Sequence, residues 1–385
     1  MASQRFEIKE DAPGRLVKTP QGVRAFVPNS LPPEVQLSWS LVATLSAADR
    51  ALAELAGVGS TLPNPHLLIG PFLRREAVLS SRIEGTQASL SDLFFFEAAP
   101  KQYLEPHDVR EVANYVNALE YGLKRIETLP ISLRLIRELH EHLMAGVRGG
   151  DRSPGEFRRV QNWIGAEGCT IDEASYVPPP PHEVPTALES LEEFYHASCD
   201  LPPLIRFALM HYQFEAIHPF LDGNGRIGRL LITLGLGSEG LLPQPLLYLS
   251  EFFEKNRHEY YRLLLAVTTH GEWDGWIRFF VRGVAEQSRQ AILRAKTLVG
   301  IRQELRKTLQ SARASALLLR LVDELFLYPA ITMRRAANVL RVTPRAAQLN
   351  LDKLIDAGIL EEATGRERNR VYVARRIIGA IESDP

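Results

Sequence analysis

Cysteine is nearly missing: Cys169 and Cys199 are the only two in 385 residues. That excludes a disulfide-stapled scaffold, and their separation matches no zinc-ligand spacing. Such sparing use fits a reducing cytoplasm. A membrane-spanning run is lacking too, since the most apolar stretch, LLITLGLGSEGLLPQPLLYL, is broken by Glu239 and two prolines. The opening MASQRFEIKEDAPG has no apolar leader region, so neither secretion nor a membrane partner is expected. Charge of one sign is also lacking. The net value is -1, and no chain-wide field announces nucleic acid or a lipid surface.

What is present is ordinary for a folded chain, with 45% hydrophobic and 24% charged residues. At about 150 residues per domain, two or three domains are expected. The fold class predicted by the periodicities is mainly α. Residues 1–30 mix proline, glycine and charge, and read as an extended lead-in rather than a core element. Leu37, Leu41, Leu45, Leu52 and Leu55 then recur at helical spacing, followed by Leu73, Val78 and Ile83. Val109, Val112, Val116, Leu119, Leu123 and Ile126 form another stripe, and Leu133, Ile136, Leu139 and Leu143 a fourth, capped by Ser132. The segment QNWIGAEGCTIDEASYVPPPP, 161–181, reads as a short β-hairpin ended by prolines. Further helices are expected over 188–195, 204–217, 227–236 and 251–267, the last closed by Gly271. A connector helix runs over 276–309, with Gly283 and Gly300 as candidate kinks.

The rhythm changes near residue 314. Helices over 315–326, 332–340 and 344–358 are followed by alternation about a charged turn in ILEEATGRERNRVYVA, the pattern of a winged helix-turn-helix. The division that follows is an N-terminal segment 1–105, a helical core with its connector 106–300, and a winged-helix domain 301–385.

The run HPFLDGNGRIGR, His218 to Arg229, carries the chemistry. Pro219 discourages helix at His218, the glycines permit positive φ, and the N–H groups of Gly223, Asn224 and Gly225 can converge at the start of the next helix. That is a phosphate cradle. His218 adds a base titrating near neutrality, Asp222 an oxygen ligand for Mg²⁺, and Arg226 and Arg229 positive charge. A hydroxyl attacking a phosphate needs these parts. Read as a bare glycine pair, the same loop is only an interhelical turn. His211, Glu215 and His218 also fall at metal-triplet spacing, but Pro219 ends the helix they would share, so His211 is expected as a hydrogen-bonded bundle histidine.

Taken whole, the run resembles the Fic family signature H-x-F-x-[DE]-G-N-G-R-x-x-R at each defining position. The resemblance implies a Fic helical bundle with a β-hairpin flap, and a protein adenylyltransferase that moves AMP from ATP to a Ser, Thr or Tyr hydroxyl of a target protein or of itself. His218 would deprotonate the hydroxyl. Asp222 would hold Mg²⁺, while Gly223, Asn224, Gly225, Arg226 and Gly228 would line the phosphate site, and Arg229 would meet the γ-phosphate. Phe220 would be a buried anchor, and Asn256 would stand with Tyr260 and Tyr261 on the adenine side, one of the two tyrosines facing the core. The hairpin over 161–181 occupies the place of the flap on which an extended target segment pairs.

Ser80-Ser81-Arg82-Ile83-Glu84-Gly85 is similar to the family's inhibitory motif [ST]-x-x-x-E-[GN]. Ser80 and Glu84 are i, i+4 neighbours and Gly85 lets the chain leave the helix. The resemblance implies that Glu84 pairs with Arg229 at the γ-phosphate position of the nucleotide site and holds the enzyme inhibited, or orients a water for removing AMP. Taken alone, the same residues read as a solvated helix end.

A second class of function competes. Residues 301–385 hold 15 Lys plus Arg against 10 Asp plus Glu. A DNA-binding regulator would place Arg341, Arg345, Arg366, Arg368 and Arg370 on phosphates, although Asp352 and Asp356 sit on its recognition helix. The partners implied are therefore ATP, a target protein, the chain itself, DNA through the C-terminal domain, and a second copy as a homodimer.

Overall fold

The structure is a computed structural model that describes residues 7–61, 66–100, 107–147, 153–166, 168–311, 315–366 and 368–383. It forms two compact units: Met1–Leu52, Asn117–Leu241 and Leu249–Glu286 make the first, and Ala53–Val116, Leu242–Tyr248 and Gln287–Pro385 the second.

The chain opens with an antiparallel pair, β1 (Gly14–Lys18) and β2 (Arg24–Pro28), with Leu16 opposite Phe26. This corrects the expectation of a lead-in outside the core. Phe26 is fully buried, and its N–H donates to the Val177 carbonyl at 2.9 Å, so β2 backs the segment expected as the flap. Strands of five residues between glycine and proline are too short to display a period. Gly14 is required by space, since a Cβ there would lie 2.4 Å from the Val27 oxygen.

Next come α1 (Trp39–Thr61), α2 (His66–Ile83), α3 (Leu90–Ala98), α4 (His107–Arg125) and α5 (Leu133–Leu143). Leu37, expected in the first helix, lies before it and is exposed. The third helix went unread in the sequence, although a capping box marks its start: Asp92 N–H donates to Ser89 Oγ and Ser89 N–H to the Asp92 carboxylate. Ser132 caps α5 as expected, accepting from Leu135 N–H at 3.3 Å. The expected boundary at residues 105 and 106 lies outside the described residues.

The helices α6 (Val184–His196), α7 (Pro203–Ile217) and α8 (Asn224–Ser238) follow. One helix expected over 251–267 is two, α9 (Ser250–Lys255) and α10 (Arg257–His270), because Asn256 leaves helical geometry with φ -111° and ψ 32°. Gly271 ends α10 in the left-handed region, with φ 68°. The connector α11 (Trp273–Ser311) is one continuous helix of 39 residues, with no break at Gly283 or Gly300. In the first unit, Phe214, Ile217, Ile227, Leu230 and Trp276 are buried together as core, and the Trp276 indole N–H donates to the Ala208 carbonyl. Burial of such large side chains is the main source of that unit's stability.

Last come α12 (Ala316–Leu327), β3 (Ala330–Thr332), α13 (Met333–Leu340), α14 (Pro344–Asp356), β4 (Glu361–Glu362), β5 (Val371–Val373) and α15 (Arg375–Glu382). The three strands form an antiparallel sheet in the order β3-β5-β4. Thr332 and Thr343 cap α13 and α14 through their hydroxyls. Among the described residues, no helix is long and apolar enough to cross a membrane.

Candidate active site

The loop between α7 and α8 belongs to the first unit, and its backbone follows from its residue types. His218 is the C-cap of α7 in the left-handed region, φ 50° and ψ 61°, with its N–H donating to the Phe214 carbonyl. Pro219 cannot continue the helix. Gly223 takes φ 78° as the N-cap of α8, and only glycine adopts that angle without strain. The first-turn N–H groups of α8 begin at Asn224, where a helix has no acceptors of its own and its dipole favours an anion.

Phe220 is wholly buried and stacks on His140, ring centroids 3.7 Å apart and ring planes nearly parallel, with Phe157 at 5.2 Å. Asn224 staples the loop: its Oδ1 accepts from Phe220 N–H at 2.8 Å, and its Nδ2 donates to the Phe220 carbonyl at 2.9 Å. The Asn224 side chain therefore holds the loop, and its backbone N–H is the group available to a ligand. His140 receives the Gly155 N–H on Nδ1 at 2.9 Å, which leaves Nε2 protonated to donate to the Asp222 carbonyl at 3.1 Å. Burial pushes its pKa down to about 4, so this ring is a neutral strut.

The charged groups face one another across the loop. Asp222 Oδ1 accepts from Gly223 N–H at 2.6 Å and lies 3.3 Å from Arg226 Nη2, while its side chain stays 39% exposed. Arg226 and Arg229 are buried on α8, at 4% and 2% exposure, so neither is a solvated surface arginine. His218 is half-buried, with Nδ1 at 3.3 Å from the Glu215 carbonyl. Gly228 sits on the α7 side of α8: a Cβ there would meet Glu215 Oε1 at 2.4 Å and His211 at 3.2 Å, so the position is one of close helix packing.

His211 is the expected bundle histidine. It is buried and bonds the Tyr260 hydroxyl at 2.8 Å, and desolvation, with help from the Arg229 charge, pushes its pKa down to about 3. Tyr260 is the core member of the tyrosine pair and Tyr261 the exposed one. Asn256 turns its amide back onto α9, donating to the Phe252 carbonyl at 2.9 Å.

Among the described residues, the hairpin expected over 161–181 is closed by a single bridge, Ile164 to Tyr176, rather than a ladder. Its prolines 178–180 are buried, which departs from a plain surface excursion. Sequence reasoning missed three side chains that hold the loop between α7 and α8: His140, Arg158 and Asn162. Their partners are backbone carbonyls far along the chain, a signal that no periodicity or spacing carries. Ser80, Glu84 and Gly85 belong to the second unit, where α2 ends at Ile83 and Glu84 and Gly85 form the closing turn.

With this geometry in place, known proteins give a consistent answer. Residues 42–124 match the model of the Fic/DOC family N-terminal region and residues 130–236 that of the Fic/DOC family. The protein adenylyltransferase Fic of Drosophila grimshawi is 31% identical over 180 residues, 46% of this chain and 32% of that protein. Its counterpart in Drosophila willistoni is 31% identical, again over 46% of this chain and 31% of that protein. The chain thus spans about a third of the length of these curated relatives. A Fic family protein from Desulfovibrio desulfuricans shares the fold at a TM-score of 0.57 and 18% identity, over 89% of this chain and 98% of that one. A Fic-1 fragment from C. elegans does so at 0.53 and 21%, over 67% and 74%. The chain thus carries a Fic/DOC family N-terminal region over residues 42–124, followed by a Fic/DOC family domain over residues 130–236.

Proposed function

We propose that this chain is a protein adenylyltransferase that transfers AMP from ATP to a hydroxyl of a target protein or of itself. The observation that carries the reading is His218, half-buried at the end of α7, one short loop away from the open first turn of α8. The names of the similar Drosophila proteins support it. His218 takes the proton of the acceptor hydroxyl as that oxygen bonds to the α-phosphorus. The bond from phosphorus to the pyrophosphate oxygen breaks, pyrophosphate leaves with the electron pair, and the proton passes from His218 to water. Backbone N–H groups of Gly223, Asn224 and Gly225 with Arg226 receive the phosphates, Arg229 the γ-phosphate, and Asn256 borders the base. The free state of both cysteines supports a reducing cytoplasm.

Asp222 suits Mg²⁺, because a partly exposed carboxylate completed by phosphate oxygens is a common donor set for this ion. When bound, the ion neutralises charge between the phosphates. Asp222→Ala is expected to lower the Mg²⁺-dependent rate about a hundredfold, the scale of losing one charge-stabilising contact. A rate unchanged in a Mg²⁺ titration would end the assignment. The donor is tested by incubating the protein and lysate with ATP, GTP, UTP or CDP-choline, each labelled at the transferred group. Label is expected from ATP, and label only from another donor would replace it.

A specific observation also supports a second role, for the C-terminal part. Read as a winged helix, it exposes Arg341, Arg345, Arg366, Arg368 and Arg370, and the Glu362 carboxylate fixes the wing by accepting from Thr364 N–H at 2.8 Å and Gly365 N–H at 3.0 Å. Five phosphate contacts predict a loss of duplex DNA affinity of about 500-fold between ~50 and ~200 mM salt. Joint replacement of Arg366, Arg368 and Arg370 by serine should flatten that dependence. The DNA role fails if no duplex binds at the lower salt.

A further inference from the structure

Arg158 is buried to 4% exposure, and its acceptors among the described residues are all backbone carbonyls. A buried cation without a carboxylate is costly, so something must compensate for it. Burial pulls its pKa down to about 10, which still leaves it charged at neutral pH.

The compensation lies at the end of α7. A helix leaves its last carbonyls without intrahelical donors and carries partial negative charge there. Arg158 Nε donates to the His218 carbonyl at 2.9 Å, and Nη2 reaches the Ile217 carbonyl at 3.3 Å. The same Nη2 donates to the Pro179 carbonyl at 2.6 Å, and Nη1 to that of Val160 at 3.4 Å. Arg158 N–H adds a bond to the Pro219 carbonyl at 2.9 Å. One side chain thus grips the backbone of His218 and both arms of the flap, the incoming arm at Val160 and the outgoing arm at Pro179.

Two neighbours extend the brace. Asn162 Nδ2, on the incoming arm, donates to the Phe220 carbonyl at 2.8 Å. On the outgoing arm, the Tyr176 hydroxyl donates to the Ala216 carbonyl at 2.6 Å. The carbonyls of Ala216, Ile217, His218 and Phe220 are therefore all held by side chains of the flap or by Arg158, which leads into it. The flap itself is closed by one bridge, so its register depends on these bonds more than on strand pairing.

We propose that Arg158 is a positioning residue that sets the register of the flap and the orientation of His218 together. A target segment paired on the flap then meets a base whose place is fixed by the same guanidinium. The proposal rests on the reading of the chain as an AMP transferase with His218 as base. Lysine cannot replace it, because a single ammonium reaches one or two of these carbonyls where the planar fork reaches four.

The full chain carrying Arg158→Lys, and separately Asn162→Ala, tests this. Three measurements are needed: amide exchange at Ile164 and Tyr176, the NMR titration of the His218 ring, and kcat against KM for ATP in AMP transfer. Arg158→Lys should keep KM for ATP within about twofold while kcat falls about a hundredfold, as for a reacting group displaced by about 1 Å. Exchange at the two flap amides should quicken and the His218 titration should move with it. Asn162→Ala should change both in the same direction and by less. If flap exchange changes while the His218 titration does not, or if exchange rises evenly through the unit, the coupling is refuted and Arg158 is only structural. Should the parent protein transfer no AMP, the exchange and titration measurements still decide the coupling, which separates its failure from that of the enzymatic reading.

Discussion

His218→Asn protein should bind ATP as tightly as the parent and transfer AMP slower by a factor of about 10² to 10⁴, the usual contribution of a positioned general base. Asparagine is the better replacement here because His218 occupies the left-handed region, φ 50°, which asparagine tolerates and alanine strains. With His218→Ala the loss of activity would mix two causes, a missing imidazole and a disturbed loop. The binding groups proposed for ATP lie on α8 and in the loop after Phe220, and that loop is anchored by other residues: Phe220 stacks on His140, and Asn224 bonds the Phe220 backbone. Affinity, read by titration calorimetry with a non-hydrolysable ATP analogue, should therefore survive. Transfer at the parental rate would remove His218 from the chemistry. A loss of rate accompanied by an equal loss of affinity would make it a binding residue instead.

The loop between α7 and α8 was legible because its backbone is dictated locally. Pro219 stops α7, Gly223 accepts a positive φ, and the helices on either side are mostly apolar runs of 15 residues each, long enough to read as buried helices. The supports of that loop were not legible for the opposite reason. Arg158, Asn162 and His140 act on His218, Phe220 and Asp222, and these pairs are 60, 58 and 82 residues apart in the chain. A polar side chain that bonds a distant carbonyl leaves no mark in composition or spacing. The strand β2 was hidden likewise, since Phe26 gains its place through a hydrogen bond to Val177. The break at Asn256 was hidden by the apolar stripe, which continues through it: Phe253, Tyr260 and Leu263 are all buried on either side of a non-helical residue.

Gly228 shows how one residue can serve a motif in a way the motif does not state. Its place among the glycines of the loop suggests a role toward phosphate, whereas its missing side chain faces α7, where Glu215 Oε1 occupies the space a Cβ would need. The close approach of α7 and α8 that results brings the end of one helix to the start of the other, and that approach is what sets His218 beside the N–H groups of α8. A glycine in such a motif thus acts through packing as much as through backbone freedom.

Replacing Glu84 by glycine should raise AMP transfer, self-modification included, by about tenfold or more if that carboxylate holds the enzyme inhibited, as the likeness of residues 80–85 to the family's inhibitory motif implies. Glu84 follows the last residue of α2, in a turn where its N–H donates to the Ser81 carbonyl and Gly85 N–H to that of Arg82, both at 3.0 Å. Gly85 holds φ 101°, which a residue with a side chain rarely adopts, while Ser80, one turn earlier, is fully buried. The turn thus presents an exposed carboxylate from a firmly seated helix. Because the side chain is exposed and outside the helix, removing it should cost the fold little, at most about 1 kcal/mol. Mere destabilisation would lower activity, so an increase separates inhibition from structure. The sign of the effect is decisive, and a tenfold gain corresponds to about 1.4 kcal/mol of released inhibition. Two controls complete the test. Adding His218→Asn to Glu84→Gly should silence the gain, which ties the increase to the same base. Modified target incubated with each protein should show whether Glu84 is also needed for removing AMP, in which case Glu84→Gly loses the reverse reaction as it gains the forward one. Equal rates for parent and Glu84→Gly in both directions, with equal ATP affinity, would leave Glu84 as a solvated residue at a helix end.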